Sequence, residues 1–126
     1  MEEKHPRLLA PLTLAYVGDG VFELLVRERI VALHGSMMPH KLHTLAISVV
    51  CAEAQAALFD RLETILTEEE HDILRRGRNA SGMHPPKNAD PAQYRKATAV
   101  EALFGYLHLT GQFDRMRELF EQVEIA

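Results

Sequence analysis

Apolar residues recur at helical spacing along most of the chain and predict an all-α protein. After Pro11, apolar positions run from Leu12 to Leu33 and are interrupted at Gly18-Asp19-Gly20. Glycine is a poor helix former and a common helix terminator. We therefore expect a short helix, a break near Gly18, and a longer helix that ends near Gly35.

The next apolar stripe begins at Pro39, a residue suited to the first turn of a helix. Apolar side chains then recur every three or four residues as far as Leu66, which predicts one long core helix. Cys51 lies within this stretch and is the single cysteine, so an internal disulfide is excluded. We expect Cys51 to be a small buried core residue, with a reactive thiol as the alternative.

A capping signal predicts the start of a further helix. Thr67 and Glu70 have the spacing of a capping box, in which each side chain bonds the other residue's backbone N–H. The helix should be short and run to about Arg76. Residues 77–88 then read Gly-Arg-Asn-Ala-Ser-Gly-Met-His-Pro-Pro-Lys-Asn, an exposed basic loop long enough to suggest a function beyond connection.

Two more helices complete the prediction. Asp90-Pro91 supplies an N-cap and a first-turn proline for a helix through Leu109. Gly111 separates it from a last amphipathic helix, which carries Phe113 and Phe120 on one face.

Composition supports this outline. A chain of 126 residues is long enough for one domain and too short for two ordinary ones, so we expect a single domain over residues 1–126. Hydrophobic residues make up 47% and charged residues 25%, as in folded globular proteins, and aromatic residues are only 6%. No apolar run reaches the ~20 residues of a membrane span, and the acidic N-terminus does not resemble a signal peptide. We therefore expect a cytoplasmic protein with no membrane partner.

The charge is unevenly distributed. A formal net charge of −4 argues mildly against a nucleic-acid partner. Residues 75–96, however, hold six basic residues and one acidic residue, a local charge of +5, so the rest of the chain carries −9. This segment either binds an anion or is an ordinary solvated surface.

Two acids lie in apolar stretches, where an unpaired carboxylate is unfavourable and normally has a cation or a strong donor as partner. They are Asp19 and Glu101, and they could share one site. Alternatively, Asp19 caps a helix that begins near Gly20, and Glu101 faces solvent.

The order of these features resembles the catalytic domain of the ribonuclease III family, and most closely its Mini-ribonuclease III branch, which lacks a double-stranded-RNA-binding domain. The resemblance covers nearly the whole chain in order. The residues that carry it are Leu14-Ala15-Tyr16-Val17-Gly18-Asp19-Gly20-Val21-Phe22-Glu23, His43, Ala54-Gln55-Ala56, Leu66-Thr67-Glu68-Glu69-Glu70, Arg76-Gly77-Arg78-Asn79-Ala80, Pro86-Lys87-Asn88 and Glu101-Ala102-Leu103-Phe104-Gly105-Tyr106-Leu107.

The resemblance implies that Asp19 and Glu101 are the catalytic pair that holds Mg²⁺. Larger family members carry further acids at the positions of Ala15, Tyr94 and Thr98. The Mini branch shares this reduced set of acids, so water must complete the metal shell. Two carboxylates could suffice, because Mg²⁺ prefers oxygen ligands, keeps several waters and also binds substrate phosphate oxygens.

The resemblance further implies a homodimeric endoribonuclease that cleaves double-stranded RNA by phosphodiester hydrolysis, leaves 5′-phosphate and 3′-hydroxyl ends, and matures the 23S ribosomal RNA precursor. A duplex is recognised mainly through phosphates and 2′-hydroxyls, so donors should spread along it. The candidate RNA-binding residues are Arg75, Arg76, Arg78, Asn79, Lys87, Asn88, Arg95 and Lys96.

Two questions stay open at this point. Glu23 lies one helical turn after Asp19 and could help to hold a second ion, although pairing with Arg27 is the favoured interpretation. The absence of acids at Ala15 and Thr98 also leaves a competing hypothesis, a noncatalytic helical module that binds RNA or docks a protein.

Overall fold

The computed structural model describes residues 5–125, and this part of the chain is helical without a strand. The all-α prediction is confirmed. A short 3₁₀ helix at Pro6–Leu8 precedes six α-helices: α1 Pro11–His34, α2 Pro39–Val50, α3 Ala52–Leu62, α4 Glu68–Arg78, α5 Pro91–Leu109 and α6 Phe113–Phe120.

Helix α5 lies at the centre of the fold because it is apolar on nearly every side. Residues 97–107 of this helix are buried, with Glu101 alone half-buried among them. Helices α1, α3, α4 and α6 pack around it. Beside α5, the rings of Phe22, Phe104 and Phe120 meet edge to face, with centroids 5.3 to 6.4 Å apart. The core therefore fixes the position of Glu101 from several directions.

The predicted break near Gly18 is wrong, because α1 is continuous. Among residues 5–125, positive φ angles occur only at Gly35, Gly82 and Gly111, so Gly18 and Gly20 have ordinary helical backbone. The predicted end near Gly35 is confirmed. A glycine inside a helix costs about 1 kcal/mol relative to alanine. At Gly18 the reason for this cost is a close contact with α5, described below.

The predicted single helix from Pro39 to Leu66 is also wrong, since it divides into α2 and α3 at Cys51 and ends at Leu62. Cys51 has extended backbone (ψ 157°), and the Gln55 side chain donates to the last carbonyl of α2, Val50 O, at 2.9 Å. Cys51 is exposed, so the prediction of a buried core cysteine is wrong as well.

No single helix within residues 5–125 has the length and hydropathy of a membrane span. Only α2 and α3 taken together, across a 48° bend, meet such a criterion.

The capping predictions are confirmed. Thr67 Oγ1 accepts from the N–H of Glu70 at 3.2 Å, and Glu70 Oε1 accepts from the N–H of Thr67 at 2.9 Å. Helix α4 is slightly longer than expected and ends at Arg78, so the loop before α5 begins at Asn79. At the other end of this loop, Asp90 caps α5 by accepting from two N–H groups of its first turn.

Candidate active site

Two glycines allow α1 and α5 to meet backbone to backbone. A Cβ atom on Gly18 would lie 1.6 Å from the carbonyl oxygen of Glu101, and one on Gly105 would lie 2.0 Å from the carbonyl oxygen of Leu14. Any side chain at either position would overlap these oxygens, so only glycine fits. This contact places Asp19, which directly follows Gly18, next to Glu101.

Asp19 and Glu101 therefore share one site, the first of the two alternatives that the sequence left open. The Asp19 carboxylate lies close enough to Glu101 to raise its pKa. Both residues line an open cleft of about 350 Å³. Asp19 is exposed to solvent, whereas Glu101 is half-buried on α5, where α5 packs against α1. Asp19 lies within α1 and does not cap a helix.

The rest of the cleft comes from three segments. Lining residues come from the first turns of α1, from the 79–90 loop and from α5. The residues that line the cleft besides the two acids are Leu12, Ala15, Tyr16, Gly82, Met83, His84, Tyr94 and Thr98.

The positions that carry further acids in larger ribonuclease III proteins lie at this same cleft. Ala15 and Thr98 are buried in its wall, and the Thr98 hydroxyl donates to the carbonyl oxygen of Tyr94 at 3.0 Å. Ala15, Tyr94 and Thr98 therefore add no carboxylate to the cleft. Glu23 forms an ion pair with Arg27 at 3.0 Å, which confirms the favoured interpretation of that residue.

The protonation of Glu101 is strongly perturbed. Burial is the main cause, and together with the hydrogen bond to Asp19 and its negative charge it raises the pKa of Glu101 to about 8. The Gln55 side chain on α3 acts in the opposite direction and lowers this pKa. A cation bound between the two carboxylates would offset their repulsion and favour the charged form of Glu101.

The donor set fits Mg²⁺. Among residues 5–125, no group of three or more His, Cys, Asp or Glu side chains converges as metal ligands. Mg²⁺ is suited to such a sparse set, because it commonly binds one or two carboxylates and completes its shell with water and substrate phosphate. Asp19 and Glu101 supply the carboxylates, and the open cleft leaves room for the remaining ligands.

The raised pKa of Glu101 predicts a pH-dependent stability in the absence of divalent metal. The pKa is about 8 in the folded chain and near 4.5 when the group is unperturbed. The folded state thus keeps a proton that the unfolded state releases. Its contribution to the free energy of unfolding is complete below pH 4.5 and is lost as the pH rises to about 8.

We therefore expect Glu101→Gln, which stays neutral, to gain stability over wild type by roughly 1–3 kcal/mol between pH 5 and pH 8 in EDTA. Urea unfolding at several pH values measures the difference. Adding Mg²⁺ should reduce it, since a cation favours the charged carboxylate. Parallel pH profiles for the two proteins would show that Glu101 titrates normally.

Two of the candidate RNA-binding residues hold backbone segments in place. Arg76 donates to the carbonyl oxygens of Arg7 at 3.3 Å and Leu9 at 3.5 Å, which ties α4 to the start of the chain. Arg95 donates to the carbonyl oxygen of Ala80 at 3.2 Å and so fixes the beginning of the 79–90 loop. Both guanidinium groups are therefore engaged in hydrogen bonds to the backbone of the protein itself.

Two others flank an aromatic ring on α3. The guanidinium of Arg78 lies 5.9 Å from the ring centroid of Phe59, and the ammonium of Lys96 lies 5.3 Å from it. Lys96 also pairs with Asp60 at 2.7 Å. These cations therefore have protein partners on the face of the molecule formed by α3 and α5.

The remaining four candidates line a neighbouring cleft, together with Arg76, or lie in the loop. Arg75, Arg76 and Asn79 line a neighbouring cleft of about 420 Å³, and Leu12 lines both clefts. Arg75 also forms a surface ion pair at 2.8 Å with an aspartate one turn earlier on α4. Lys87 and Asn88 are exposed in the loop. A cleft with two arginines therefore adjoins, at Leu12, the cleft that holds the two acids.

Sequence reasoning did not identify three residues at this site. Tyr16, which is 83% exposed, and His84 line the cleft. Gln55 on α3 lowers the pKa of Glu101, and its signal was a polar residue on the apolar stripe of a predicted core helix. His84 gave no comparable signal, because the path of the 79–90 loop decides which of its side chains reach the cleft. Tyr16 lies on α1, and an aromatic residue in an apolar stretch gives no reason to expect it at a site.

Comparison with known proteins gives the class of this site. The model of the family described as "Ribonuclease III domain" matches residues 12–112, a span that includes Asp19, Glu101 and the loop between α4 and α5. A crystal structure of a protein from Fusobacterium nucleatum superposes with a TM-score of 0.82, at 25% identity, over 94% of each chain. The fold is therefore that of a ribonuclease III catalytic domain.

Curated relatives narrow the class further. Mini-ribonuclease 3 of Symbiobacterium thermophilum is 48% identical over 96% of this chain and 92% of its own length. Mini-ribonuclease 3 of Staphylococcus aureus is 41% identical, with coverage of 97% and 92%. The chain belongs to the ribonuclease III family, in its Mini-ribonuclease III branch, and is an endoribonuclease. The competing hypothesis of a noncatalytic module is thereby disfavoured.

Proposed function

We propose that this protein is a Mg²⁺-dependent endoribonuclease that hydrolyses phosphodiester bonds of double-stranded RNA and leaves 5′-phosphate and 3′-hydroxyl ends. The observation that carries the proposal is the pairing of Asp19 and Glu101 in an open cleft. The basic residues of the neighbouring cleft supply the charge that a phosphate backbone needs.

The two carboxylates have distinct environments. Asp19 is exposed and accessible to solvent and substrate, whereas Glu101 is half-buried and fixed by the core. Together they would hold Mg²⁺, which supplies the Lewis acidity that activates water and offsets charge on the departing 3′ oxygen. Because the pKa of Glu101 is about 8, a proton competes with the cation for this carboxylate below that pH.

RNA binding should rest on the eight predicted residues to different degrees. Asn79 lines the neighbouring cleft, and Lys87 and Asn88 are exposed in the loop, so these three can approach phosphate with little rearrangement. Arg75 lines the same neighbouring cleft and would exchange only its exposed surface ion pair. Arg76, Arg78, Arg95 and Lys96 already have partners within the protein and would contribute mainly through their charge. Affinity that depends on phosphate contacts should fall steeply with salt.

Cleavage of both strands requires two such sites on one duplex, which supports a homodimer. Five large apolar side chains of α1, α2 and their connection are between 49% and 62% exposed: Leu24, Val31, Leu33, Met38 and Ile47. A groove of about 290 Å³ runs between the same helices and is lined by Ile30, Val31, Pro39 and Leu42. Exposed apolar surface of this kind is typical of an association site.

The proposed natural substrate is the 23S ribosomal RNA precursor, processed in the cytoplasm. This part of the proposal rests on the similarity to Mini-ribonuclease 3 proteins. A chain whose described residues form only the helical catalytic fold would depend on the shape of its substrate for selectivity.

The test is an incubation of purified protein with a long RNA duplex, a matched single strand and a matched DNA duplex, each with Mg²⁺ or EDTA. We expect cleavage of the RNA duplex alone, only with Mg²⁺, with mapped ends carrying 5′-phosphate and 3′-hydroxyl groups. Size-exclusion chromatography with light scattering gives the oligomeric state. Cleavage of single strands, or cleavage that persists in EDTA, would contradict the proposal.

A further inference from the structure

One arginine of α5 holds the start of the 79–90 loop. Arg95 is half-buried in the second turn of α5. Its Nη1 donates to the carbonyl oxygen of Arg78 at 3.1 Å and to that of Ala80 at 3.2 Å. Arg78 is the last residue of α4, so a single nitrogen atom joins the end of α4 and the start of the loop to α5.

These two bonds are of the stronger kind. Hydrogen bonds from an ionised donor are shorter and stronger than those between neutral groups, and the last carbonyls of a helix carry a partial negative charge that favours a cation. Among residues 5–125, Arg95 bonds to these two carbonyl oxygens alone, whereas its neighbour Lys96 pairs with the carboxylate of Asp60. No acidic side chain within the described residues therefore draws the guanidinium away from the loop.

The rest of the loop has little else to hold it. Within the part of the chain that the structure describes, the only hydrogen bond that involves residues 81–88 joins the N–H of Ala89 to the carbonyl oxygen of Pro86, at 3.0 Å. Most of these residues are exposed. At the far end, Asp90 caps α5. The position of the segment therefore depends mainly on its two ends.

The segment between these ends forms part of the wall of the acidic cleft. Gly82, Met83 and His84 line the cleft together with the two acids. Gly82 has a φ of 82°, so the chain turns two residues after Ala80. His84 is the only imidazole in this lining, and its ring can donate a hydrogen bond to a phosphate oxygen. A shift of Ala80 would carry the turn and this donor away from the acids.

We infer that Arg95 is a positioning residue for cleavage, which keeps residues 82–84 in the wall of the acidic cleft by bonding to the carbonyl oxygens of Arg78 and Ala80. The inference rests on the proposed function. Arg95 is absent from the lining of the cleft, so it acts through the loop. Its charge adds to RNA affinity like that of Lys96, but the loss of its two backbone bonds should also lower turnover.

The experiment separates the two bonds from the charge. It compares wild type, Arg95→Met and Lys96→Met in the full chain, because each variant removes one positive charge from adjacent positions of α5 and keeps an unbranched, helix-forming side chain. Lys96 bonds to Asp60 on α3 and not to the loop, so only Arg95→Met releases the loop. Arg117→Met controls for the substitution itself, since Arg117 is exposed on α6 and its ion pair with Asp114 is long, at 4.0 Å.

Two quantities are measured. Amide hydrogen exchange of residues 81–89 and of the buried residues 99–107 is followed without RNA. Cleavage is followed as a function of duplex RNA concentration at saturating Mg²⁺, which gives kcat and KM separately. Arg95→Gln is the second variant in case Arg95→Met does not fold, and circular dichroism monitors folding.

We expect Arg95→Met to speed exchange in residues 81–89 by about tenfold or more, and to leave exchange in residues 99–107 within about threefold of wild type. Its kcat should fall about tenfold, because a displaced wall misplaces the substrate at the acids. Arg95→Met and Lys96→Met should raise KM by similar factors, since each loses one charge. Lys96→Met should keep the slow loop exchange, and Arg117→Met should match wild type throughout.

Three results would overturn the inference. If Arg95→Met matches Lys96→Met in loop exchange and in kcat, Arg95 acts by charge alone. If the loop exchanges faster while kcat is unchanged, the contact is structural only. If residues 99–107 exchange as fast as the loop, the fold as a whole has loosened. A wild type that does not cleave the duplex contradicts the proposed function instead, and the exchange measurement, which needs no RNA, still shows whether Arg95 holds the loop.

Discussion

Asp19→Asn is expected to reduce cleavage of double-stranded RNA by about 10³-fold or more, which corresponds to about 4 kcal/mol of lost transition-state stabilisation. An amide keeps the size of the side chain but loses the charge that would hold Mg²⁺. Asp19 is exposed at the cleft, so the fold should be unaffected. Duplex affinity in EDTA should stay within about threefold of wild type, because the basic residues carry it.

Glu23→Gln is the matched control for this experiment. Glu23 lies one turn beyond Asp19 on α1 and pairs with Arg27 at 3.0 Å, outside the cleft. The same carboxylate-to-amide change should alter cleavage by no more than about threefold, since an exposed i,i+4 ion pair is worth about 0.5 kcal/mol or less. A large loss in Glu23→Gln would make it a further ligand. Full activity in Asp19→Asn would exclude Asp19 from the reaction.

Glu101→Gln extends the comparison to the buried partner. It should lose cleavage like Asp19→Asn, yet gain stability above neutral pH in EDTA, because the pKa of Glu101 is raised to about 8 mainly by burial. A variant that is more stable and inactive separates a functional carboxylate from a structural one. Measuring cleavage and the free energy of unfolding of Asp19→Asn as well tests whether the two carboxylates act in the same step.

The helical pattern was predictable from the sequence wherever local chemistry decides it. Thr67 with Glu70, and Asp90 with Pro91, mark helix starts through bonds within one turn, and both are confirmed. Cys51 shows where local reasoning fails, because the periodicity continues across the break and the stabilising amide of Gln55 comes from the following helix. A contact between residues on two helices leaves little trace in hydropathy.

The site was predictable in its charged residues and not in its support. Asp19 and Glu101 attract attention because carboxylates are costly in apolar surroundings. Gly18 gave the opposite impression, since a glycine within an apolar run reads as a helix break. Its actual role depends on α5, more than 80 residues away along the chain. The basic residues Arg76 and Arg95 were equally ambiguous, because charge alone does not reveal which cations the fold itself uses.

Gly18→Ala is expected to be the most destabilising of the substitutions considered. The new Cβ would lie 1.6 Å from the carbonyl oxygen of Glu101 and 2.9 Å from the amide nitrogen of Gly105, both backbone atoms of the central helix. No side chain can rotate away, so α1 and α5 must move apart. We expect a loss of about 4 kcal/mol or more in the free energy of unfolding, a large part of a typical total of 5–15 kcal/mol.

Gly20→Ala is the control, two residues further along the same helix. A Cβ at Gly20 meets no atom within 4 Å, and Gly20 has helical backbone. Alanine should therefore stabilise the protein by about 0.5–1 kcal/mol through its higher helix propensity. Urea unfolding of both variants at one pH measures these opposite effects. Equal stability of Gly18→Ala and wild type would rule out the close contact between α1 and α5. Because the same contact sets Asp19 beside Glu101, any folded fraction of Gly18→Ala should also bind Mn²⁺ more weakly than wild type.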